Sequence, residues 1–249
     1  MLRNPVAPEL LELLDAGSPG DADFYSEYAR RSGGPVLVLL SGTGRIAIPI
    51  ARQGIPVIGL DTDAGMVDQA KRKAQQFGAA RAMFVRGDPT HFVSDSKHPL
   101  VCIPSGALQR LLTLEEQRSC LTAARHALGV GGKLVLDFPL GEPATPGVEL
   151  PVVKWQGVAG ERAGVLRRHR KYEPALQLVE DLISCDWLDR EGQVEKTQYA
   201  MLTTRYSTPG EIELLLTSCG FATTVFGGFE RQDLLPGAGR LVVEAQRTM

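Results

Sequence analysis

A glycine-rich turn between an apolar run and a helical pattern is the clearest chemical signal in the sequence. Val36–Leu40 (VLVLL) is continuously apolar, as expected of a strand buried on both faces, and Gly42-Thr43-Gly44 follows it closely. Glycines let a backbone approach a ligand, and a helix that begins after them presents unpaired N–H groups. The turn is therefore predicted to bind a nucleotide.

A carboxylate lies where such a turn needs one. Asp61 follows a second apolar run, Pro56–Leu60, about 20 residues after Gly42. At this spacing a carboxylate can accept hydrogen bonds from both hydroxyls of a ribose. The alternative is that Asp61 is the N-cap of the helix predicted over Ala64–Phe77.

The elements that must position these residues alternate between strand and helix. Five strands are predicted, at Val36–Leu40, Pro56–Leu60, Ala82–Val85, Leu100–Ile103 and Lys133–Phe138, the last after a turn at Gly129–Gly132. Helices are predicted between them, at Arg45–Gln53, Ala64–Phe77 and Leu114–Leu128, with Pro49 costing the first a hydrogen bond. With a closing pair at Phe221–Phe226 and Leu241–Ala245, this order predicts an α/β fold: a doubly wound, mostly parallel seven-stranded sheet of the Rossmann type.

The second half of the chain contains a different pattern. Alternating, β-prone segments fill residues 148–206, with a hairpin turn predicted at Asp189–Gly192. We interpret them as an antiparallel insertion in a single domain that spans residues 1–249. A basic cluster at Arg167, Arg168, Arg170 and Lys171 is interpreted as the solvated face of one of its strands.

Composition narrows the class of protein. The chain has 249 residues and a net charge of −2, so no strong positive field attracts nucleic acid. No apolar stretch has the length of a membrane-spanning helix, and no signal peptide is recognised. The four cysteines are scattered and the histidines are not spaced as ligands, which predicts a cytoplasmic protein without a metal site.

The order and spacing of several segments resemble class I S-adenosylmethionine-dependent methyltransferases, in particular a bacterial group that acts on small molecules and has a late antiparallel insertion. The resemblance covers nearly the whole chain. The segments are Ser41–Gln53 (SGTGRIAIPIARQ), Val57–Met66 (VIGLDTDAGM), Val85–Asp88 (VRGD), Pro104–Leu112 (PSGALQRLL), Gly129–Phe138 and Arg205–Gly220.

The resemblance implies S-adenosylmethionine as the cofactor and assigns residues to it. Those expected to hold or border the cofactor are Gly42, Thr43, Gly44, Asp61, Thr62, Met66, Asp88, Ser105 and Gln109. Asp88 would contact the adenine amino group, and Ser105 and Gln109 would line the methyl end. Alternatives stay open: Asp88 as a turn acid before Pro89, and Ser105 and Gln109 as polar residues at a helix start.

Two positions depart from the family pattern. Val38 stands where the family usually has an acid that anchors the cofactor's ammonium group, and Leu40 stands where it usually has glycine. With both side chains facing the site, the ammonium group would lose its partner and the methionine tail would meet an obstacle. A lost charged hydrogen bond costs about 1.5–3 kcal/mol, or ten- to a hundredfold in affinity.

The catalytic residue is not determined by the sequence. His169, Tyr206 and Glu211 are candidates for a general base or a substrate ligand. Each has an ordinary interpretation: a polar residue on a basic strand, a half-buried sheet residue, and a first-turn acid that suits the helix dipole.

Three functions are compatible with these observations. The first is methyl transfer to nitrogen or oxygen of a small molecule, by a monomer or homodimer. The second is a catalytically impaired relative that acts as a binding or partner module, for which Val38 and Leu40 argue. The third is a nicotinamide-dependent oxidoreductase, because residues 42–47 also satisfy G-x-G-x-x-A.

Overall fold

The computed structural model describes residues 7–14, 17–140, 147–148, 150–160 and 162–248. The chain divides into two compact units: Met1–Ala16 with Glu142–Tyr206, and Gly17–Gly141 with Ser207–Met249. The strands in the described ranges are β1 (Val36–Leu39), β2 (Val57–Asp61), β3 (Ala82–Arg86), β4 (His98–Ile103), β5 (Leu128–Pro139), β6 (Gly147–Val148), β7 (Val152–Ala159), β8 (Arg162–Glu173), β9 (Leu178–Leu188), β10 (Val194–Arg205), β11 (Phe221–Phe226) and β12 (Arg240–Arg247). The helices there are α1 (Pro8–Leu14), α2 (Asp21–Ser32), α3 (Ala47–Arg52), α4 (Ala64–Gln76), α5 (Leu114–Ala127) and α6 (Pro209–Ser218), with a short 3₁₀ helix at Ala107–Arg110.

The larger unit is built on a seven-stranded sheet in the order β11-β12-β5-β4-β1-β2-β3. Strands β1 to β5 pair in parallel, and β12 runs antiparallel to both β5 and β11. The predicted doubly wound, mostly parallel fold is confirmed. Because β1 has β2 on one side and β4 on the other, the connections diverge at its carboxyl end, which is where open α/β sheets bind ligands.

Strand β1 is buried on both faces, as its continuous apolar run predicts. Leu37 and Leu39 belong to one core cluster and Val36 and Val38 to the other. All four are fully buried. Packing on both faces holds β1 in place, and the turn that follows it lies at the edge of the sheet.

The first crossover helix is shorter than predicted. Helix α3 begins at Ala47, two residues later than expected, so Pro49 lies in its first turn. The N–H of Ile48 already donates to the carbonyl of Gly44 at 2.9 Å, and Pro49 has no N–H to continue this ladder, so the late start of α3 agrees with the predicted loss of a hydrogen bond at Pro49. The predicted turn at Gly129–Gly132 lies inside β5, at an interruption of its pairing with β4: Leu128 is opposite His98, and Lys133 is opposite Leu100.

The smaller unit contains an antiparallel sheet in the order β10-β9-β8-β6, with β7 also paired to β8. Its strands cover most of the predicted insertion, and Asp189 closes the predicted turn by donating its N–H to the carbonyl of Gln193 at 2.9 Å. The extent of the insertion and the single-domain organisation stay predictions.

Strand alternation divides the basic cluster between the two faces of this sheet. Arg168 and Arg170 pair with the buried Asp181, Arg170 through two bonds of 2.8 Å. Arg167 pairs with Asp186 on the opposite face at 2.5 Å. The interpretation as one solvated face is wrong for Arg168 and Arg170. Within the described ranges, no helix has both the length and the apolar character to cross a membrane.

Candidate functional site

The glycine turn and the carboxylate after β2 are joined by a hydrogen bond. The N–H of Gly42 donates to Oδ2 of Asp61 at 2.8 Å, and the N–H of Asp63 donates to Oδ1 at 3.0 Å. Asp61 is 6% exposed. A carboxylate has about four acceptor positions, so these two bonds leave capacity for ribose hydroxyls.

The N-cap alternative for Asp61 is wrong. Asp63 caps α4 instead, because its side chain accepts the N–H of Met66 at 3.0 Å. Asp61 instead accepts hydrogen bonds from the loops that follow β1 and β2.

The two glycines of the turn have different surroundings. Gly42 has a φ of 54°, and a Cβ atom built there meets no atom within 4 Å. Gly44 has a φ of 84°, and a Cβ atom there would lie 2.8 Å from the ring of Phe84 and 3.0 Å from Ile48. Gly44 thus allows close packing of the turn on the sheet, whereas Gly42 borders open space where a ligand can approach the backbone.

The other residues assigned to the nucleoside end differ in accessibility. Thr43 and Met66 are buried, and Thr62 is exposed at the end of β2. The carbonyl of Thr62 accepts a hydrogen bond from Nε of Arg86 at 3.1 Å. Of these three residues, Thr62 is the one whose side chain is open to an approaching ligand.

Asp88 forms a turn of its own, as its alternative interpretation proposed. Its Oδ1 accepts the N–H and the hydroxyl of Thr90 at 2.8 and 2.7 Å, and its Oδ2 lies 3.1 Å from Nδ1 of His91. The hydroxyl of Thr90 is the main cause of a lowered pKa of Asp88. The N–H of Gly87 donates to the carbonyl of Asp61 at 2.9 Å, so this turn begins beside Asp61. Its role toward adenine stays a prediction.

The loop after β4 contains a residue with a left-handed backbone. Ser105 has a φ of 61°, and its N–H donates to Oδ1 of Asp137 at 2.8 Å. The next N–H, of Gly106, donates to the carbonyl of Asp137 at 2.9 Å. Ser105 therefore precedes the 3₁₀ helix and is held by β5, while Gln109 lies inside that helix and is largely buried.

Asp137 was not predicted from the sequence. It is 1% exposed, and it accepts the phenol hydroxyl of Tyr25 at 2.6 Å while its Oδ2 pairs with Arg240. Burial raises its pKa, and the charge of Arg240 opposes that shift. An acid inside the apolar run KLVLDF was the available signal, because buried carboxylates are almost always paired.

Asp137 belongs to a closed ring of six residues that are linked by hydrogen bonds and ion pairs, which we call the polar ring. Arg45 donates to Oγ of Ser105 at 2.5 Å and pairs with Asp21 at 2.7 Å. Arg240 donates to Oγ of Ser18 at 2.6 Å, and the N–H of Ser18 donates to Asp21 at 3.0 Å. The members, in order, are Asp21, Arg45, Ser105, Asp137, Arg240 and Ser18. The ring connects the glycine turn to the loop after β4.

The two departures from the family pattern have different consequences. Val38 is fully buried, packs in the core and is paired with Gly59 and Cys102, so it does not line an open site. Leu40 has a φ of 53°, a conformation that favours glycine, and its side chain packs against the core at the end of β1. The backbone suited to glycine is retained although the glycine is absent.

The predicted catalytic candidates belong to two different units of the chain. His169 lies opposite Leu182 on one face of the smaller sheet, whereas Tyr206 packs against Tyr172, which belongs to the other face, with ring centres 6.1 Å apart. Glu211 belongs to the larger unit, in the first turn of α6, where its N–H donates to the capping Thr208 at 3.3 Å. Their catalytic roles stay predictions.

Comparison with known proteins gives the class. Residues 36–132, from β1 to the first part of β5, match a family described as "Methyltransferase domain". The fold and this segment are similar to those of class I S-adenosylmethionine-dependent methyltransferases. The nicotinamide interpretation of the glycine turn is not supported.

Solved structures match over nearly the whole chain. The methyltransferase CcbJ from Streptomyces caelestis is 23% identical, with 94% of this chain and 92% of that chain covered and a TM-score of 0.82. CalS10, an amino pentose methyltransferase from Micromonospora echinaspora solved with SAM bound, is 18% identical over 100% and 99% with a TM-score of 0.75. The sugar N-methyltransferase KedS8 from Streptoalloteichus is 16% identical over 100% and 96% with a TM-score of 0.72. At these identities the likeness establishes the fold.

A shorter match involves an RNA-modifying enzyme. A stretch of 55 residues is 40% identical to the 23S rRNA (uracil(1939)-C(5))-methyltransferase RlmD of Stenotrophomonas maltophilia. It spans 22% of this chain and 12% of that protein. The likeness is confined to a short segment.

Proposed function

We propose that this protein transfers a methyl group from S-adenosylmethionine to nitrogen of a small-molecule acceptor. The observation that carries the proposal is the bond between Gly42 and Asp61 beside an open backbone face at the end of β1. Structural neighbours described as an amino pentose methyltransferase and a sugar N-methyltransferase support an amine on a sugar-like acceptor. Transfer to oxygen is the second possibility within the same class.

The residues of the turn are suited to hold the adenosine part of the cofactor. Asp61 would accept from the ribose hydroxyls, the backbone at Gly42 would allow close approach, and Asp88 and Thr62 would border the adenine. When bound, the cofactor supplies an electrophilic methyl group on sulfur. The protein then contributes mainly orientation, because alignment of acceptor and methyl carbon can account for a large part of the barrier reduction.

The proton on the acceptor decides whether a base is needed. A neutral amine attacks without deprotonation, whereas a hydroxyl acceptor gains from a general base. For N-methylation, we expect substitution of His169, Tyr206 or Glu211 to change acceptor binding more than the rate of transfer. Loss of transfer at saturating acceptor in one of these variants would instead identify that residue as the base.

Titration calorimetry tests cofactor binding. We expect micromolar binding of S-adenosylmethionine and S-adenosylhomocysteine, and no binding of NAD. Asp61→Ala should weaken both sulfur ligands about ten- to a hundredfold, since a hydrogen bond to a charged group contributes roughly 1.5–3 kcal/mol. Asp63→Ala is the matched control: it removes the cap of α4 and about 1 kcal/mol of stability, but it leaves the bond between Gly42 and Asp61 intact. Tight NAD binding without either sulfur ligand would overturn the proposal.

Transfer itself is tested with labelled S-adenosylmethionine and a panel of amino sugars, neutral sugars and glycopeptides. Label on an amino sugar supports the proposal. Cofactor binding without transfer to any acceptor would favour a binding or partner module. We further propose that the protein is a monomer or a homodimer and that it is cytoplasmic. The four cysteines, all free thiols, support the location.

We also propose that nucleic acid is not the acceptor. The net charge of −2 supports this, because binding to a phosphate backbone depends on clustered positive charge. Addition of ribosomal RNA fragments to the transfer assay tests it, and labelled RNA would overturn it.

A further inference from the structure

Two tyrosines of α2 are held to the sheet by nearly identical groups. Tyr25 donates to Asp137, which also pairs with Arg240. Tyr28 donates to Glu244 at 2.5 Å, which also pairs with Lys133 at 2.5 Å. In each case a phenol and a cation meet a carboxylate on β5 or β12. Both groups fasten α2 to the sheet.

The group at Asp137 has a further connection that the group at Glu244 lacks. Asp137 receives the N–H groups of Ser105 and Gly106, the first on its carboxylate and the second on its carbonyl. Through Ser105 it is joined to Arg45, which follows the glycine turn. Asp137 therefore fixes the two loops that end β1 and β4.

The burial of Asp137 and the backbone conformation of Ser105 each carry a free-energy cost. A fully buried carboxylate loses its hydration, and the attraction to one cation only partly offsets that loss. The left-handed backbone of Ser105, a residue with a side chain, adds a further cost. Such local strain persists where the surrounding structure holds it in place, and it concentrates at ligand sites.

We propose that Asp137 is a positioning residue of the cofactor site. It acts through the N–H of Ser105, and through Ser105 and Arg45 it sets the separation of the glycine turn from the loop after β4. This inference rests on the proposed function, because it assumes that the cofactor lies between these loops. Glu244 performs the docking of α2 without this positioning role.

The matched variants Asp137→Asn and Glu244→Gln test the inference. Each removes one charge from an equivalent group and keeps the shape of the side chain. Two measurements are made: amide hydrogen exchange of Ser105 by NMR without ligand, and titration with S-adenosylhomocysteine. We expect Asp137→Asn to speed exchange at Ser105 at least tenfold and to weaken S-adenosylhomocysteine about tenfold. Glu244→Gln should change neither quantity, and the melting temperature of each variant is measured alongside to compare what the two changes cost in stability.

A second pair of variants, with smaller changes, tests the same inference in case the charge-removing variants do not fold. Tyr25→Phe and Tyr28→Phe each remove one hydroxyl donor, and only Tyr25→Phe is expected to speed exchange at Ser105 and to weaken S-adenosylhomocysteine. Equal weakening of the ligand in both members of either pair would overturn the positioning role, as would unchanged exchange at Ser105 in Asp137→Asn. If the wild-type protein fails to bind S-adenosylhomocysteine, the proposed function falls, and the exchange data alone decide whether Asp137 orders the loop.

Discussion

Leu40 and Ser105 adopt the same left-handed backbone at the ends of two adjacent parallel strands. Leu40 follows β1 with a φ of 53°, and Ser105 lies two residues beyond β4 with a φ of 61°. Within the described ranges, the other non-glycine residues with positive φ are Gln177 and Arg231. The two central strands, which flank the crevice where ligands bind in such sheets, thus both end in strained residues.

The variants Leu40→Gly and Leu40→Ala distinguish the effect of backbone strain at residue 40 from the effect of its large side chain. Glycine adopts a positive φ without penalty, whereas alanine keeps a strain of about 1 kcal/mol. If the Leu40 side chain obstructs the methionine tail, both variants should bind S-adenosylhomocysteine more tightly than the wild type, since both remove it. Leu40→Gly should also unfold at a higher temperature than Leu40→Ala. Calorimetric titration and thermal unfolding measure these changes, and unchanged affinity in both variants would show that Leu40 is not an obstacle.

Gly42→Ala should mainly weaken cofactor binding, whereas Gly44→Ala should mainly lower the stability of the fold. An alanine at Gly42 meets no neighbouring atom, so the variant loses only about 1–2 kcal/mol to backbone strain, but its methyl group enters the space left for a ligand. An alanine at Gly44 is strained and also collides with Phe84. We expect Gly44→Ala to be the less stable variant and Gly42→Ala to lose more cofactor affinity per kcal/mol of stability lost.

The double variant Gly44→Ala with Phe84→Leu supplies the control for that comparison. If the collision with the ring is the cause, Phe84→Leu should cost less stability in the alanine background than in the wild type. Chemical unfolding of the four proteins gives the coupling free energy. A coupling of zero would refute the collision as the reason for glycine at this position.

The local parts of the site could be predicted from the sequence, and the parts made by distant pairing could not. The run VLVLL, the turn after it and the spacing to Asp61 predict the position of the glycine turn and its carboxylate because each depends on residues that are near in the sequence. Tyr25 and Asp137 meet across 112 positions, and no periodicity reports such a contact. Asp137 was visible only as an acid in an apolar strand, and the polar ring around it depends on how the sheet is assembled.

The beginning of α3 illustrates a smaller error of the same kind. The helical pattern from Arg45 to Gln53 is continuous in the sequence, but Arg45 lies in the turn before α3, where its side chain pairs with Asp21 and Ser105. Tertiary contacts of a single charged side chain thus accompany a shift of the helix start by two residues. The glycine turn is lengthened accordingly.

Asp88 offers a test of the adenine end. Its carboxylate is occupied by Thr90 in the turn, and a ligand would add a further donor to the same group. We expect Asp88→Ala to weaken S-adenosylhomocysteine about tenfold, and Asp68→Ala on the exposed side of α4 to leave the affinity unchanged. Equal affinity of wild type and Asp88→Ala would leave Asp88 as a turn acid alone.

Asp137 and Glu244 should influence acid stability in opposite directions. For Glu244, burial raises the pKa, but hydrogen bonds from Lys133 and Tyr28 outweigh it, and the pKa lies below its ordinary 4.5. Its contribution to stability is therefore present above pH 4.5 and is lost as the pH falls through the lowered value. For Asp137, burial raises the pKa above its ordinary 3.8, so the folded state gains stability as the pH falls from the raised value toward 3.8.

Urea unfolding between pH 7 and about pH 3 measures both effects against the matched variants. The stability advantage of the wild type over Glu244→Gln should shrink as the solution is acidified, because the charge that pairs with Lys133 is lost. The difference between the wild type and Asp137→Asn should move the other way, because protonation relieves a buried charge that the asparagine never has. Parallel pH profiles for the two variants would contradict the opposite pKa shifts. They would also remove the electrostatic distinction between the two groups that hold α2.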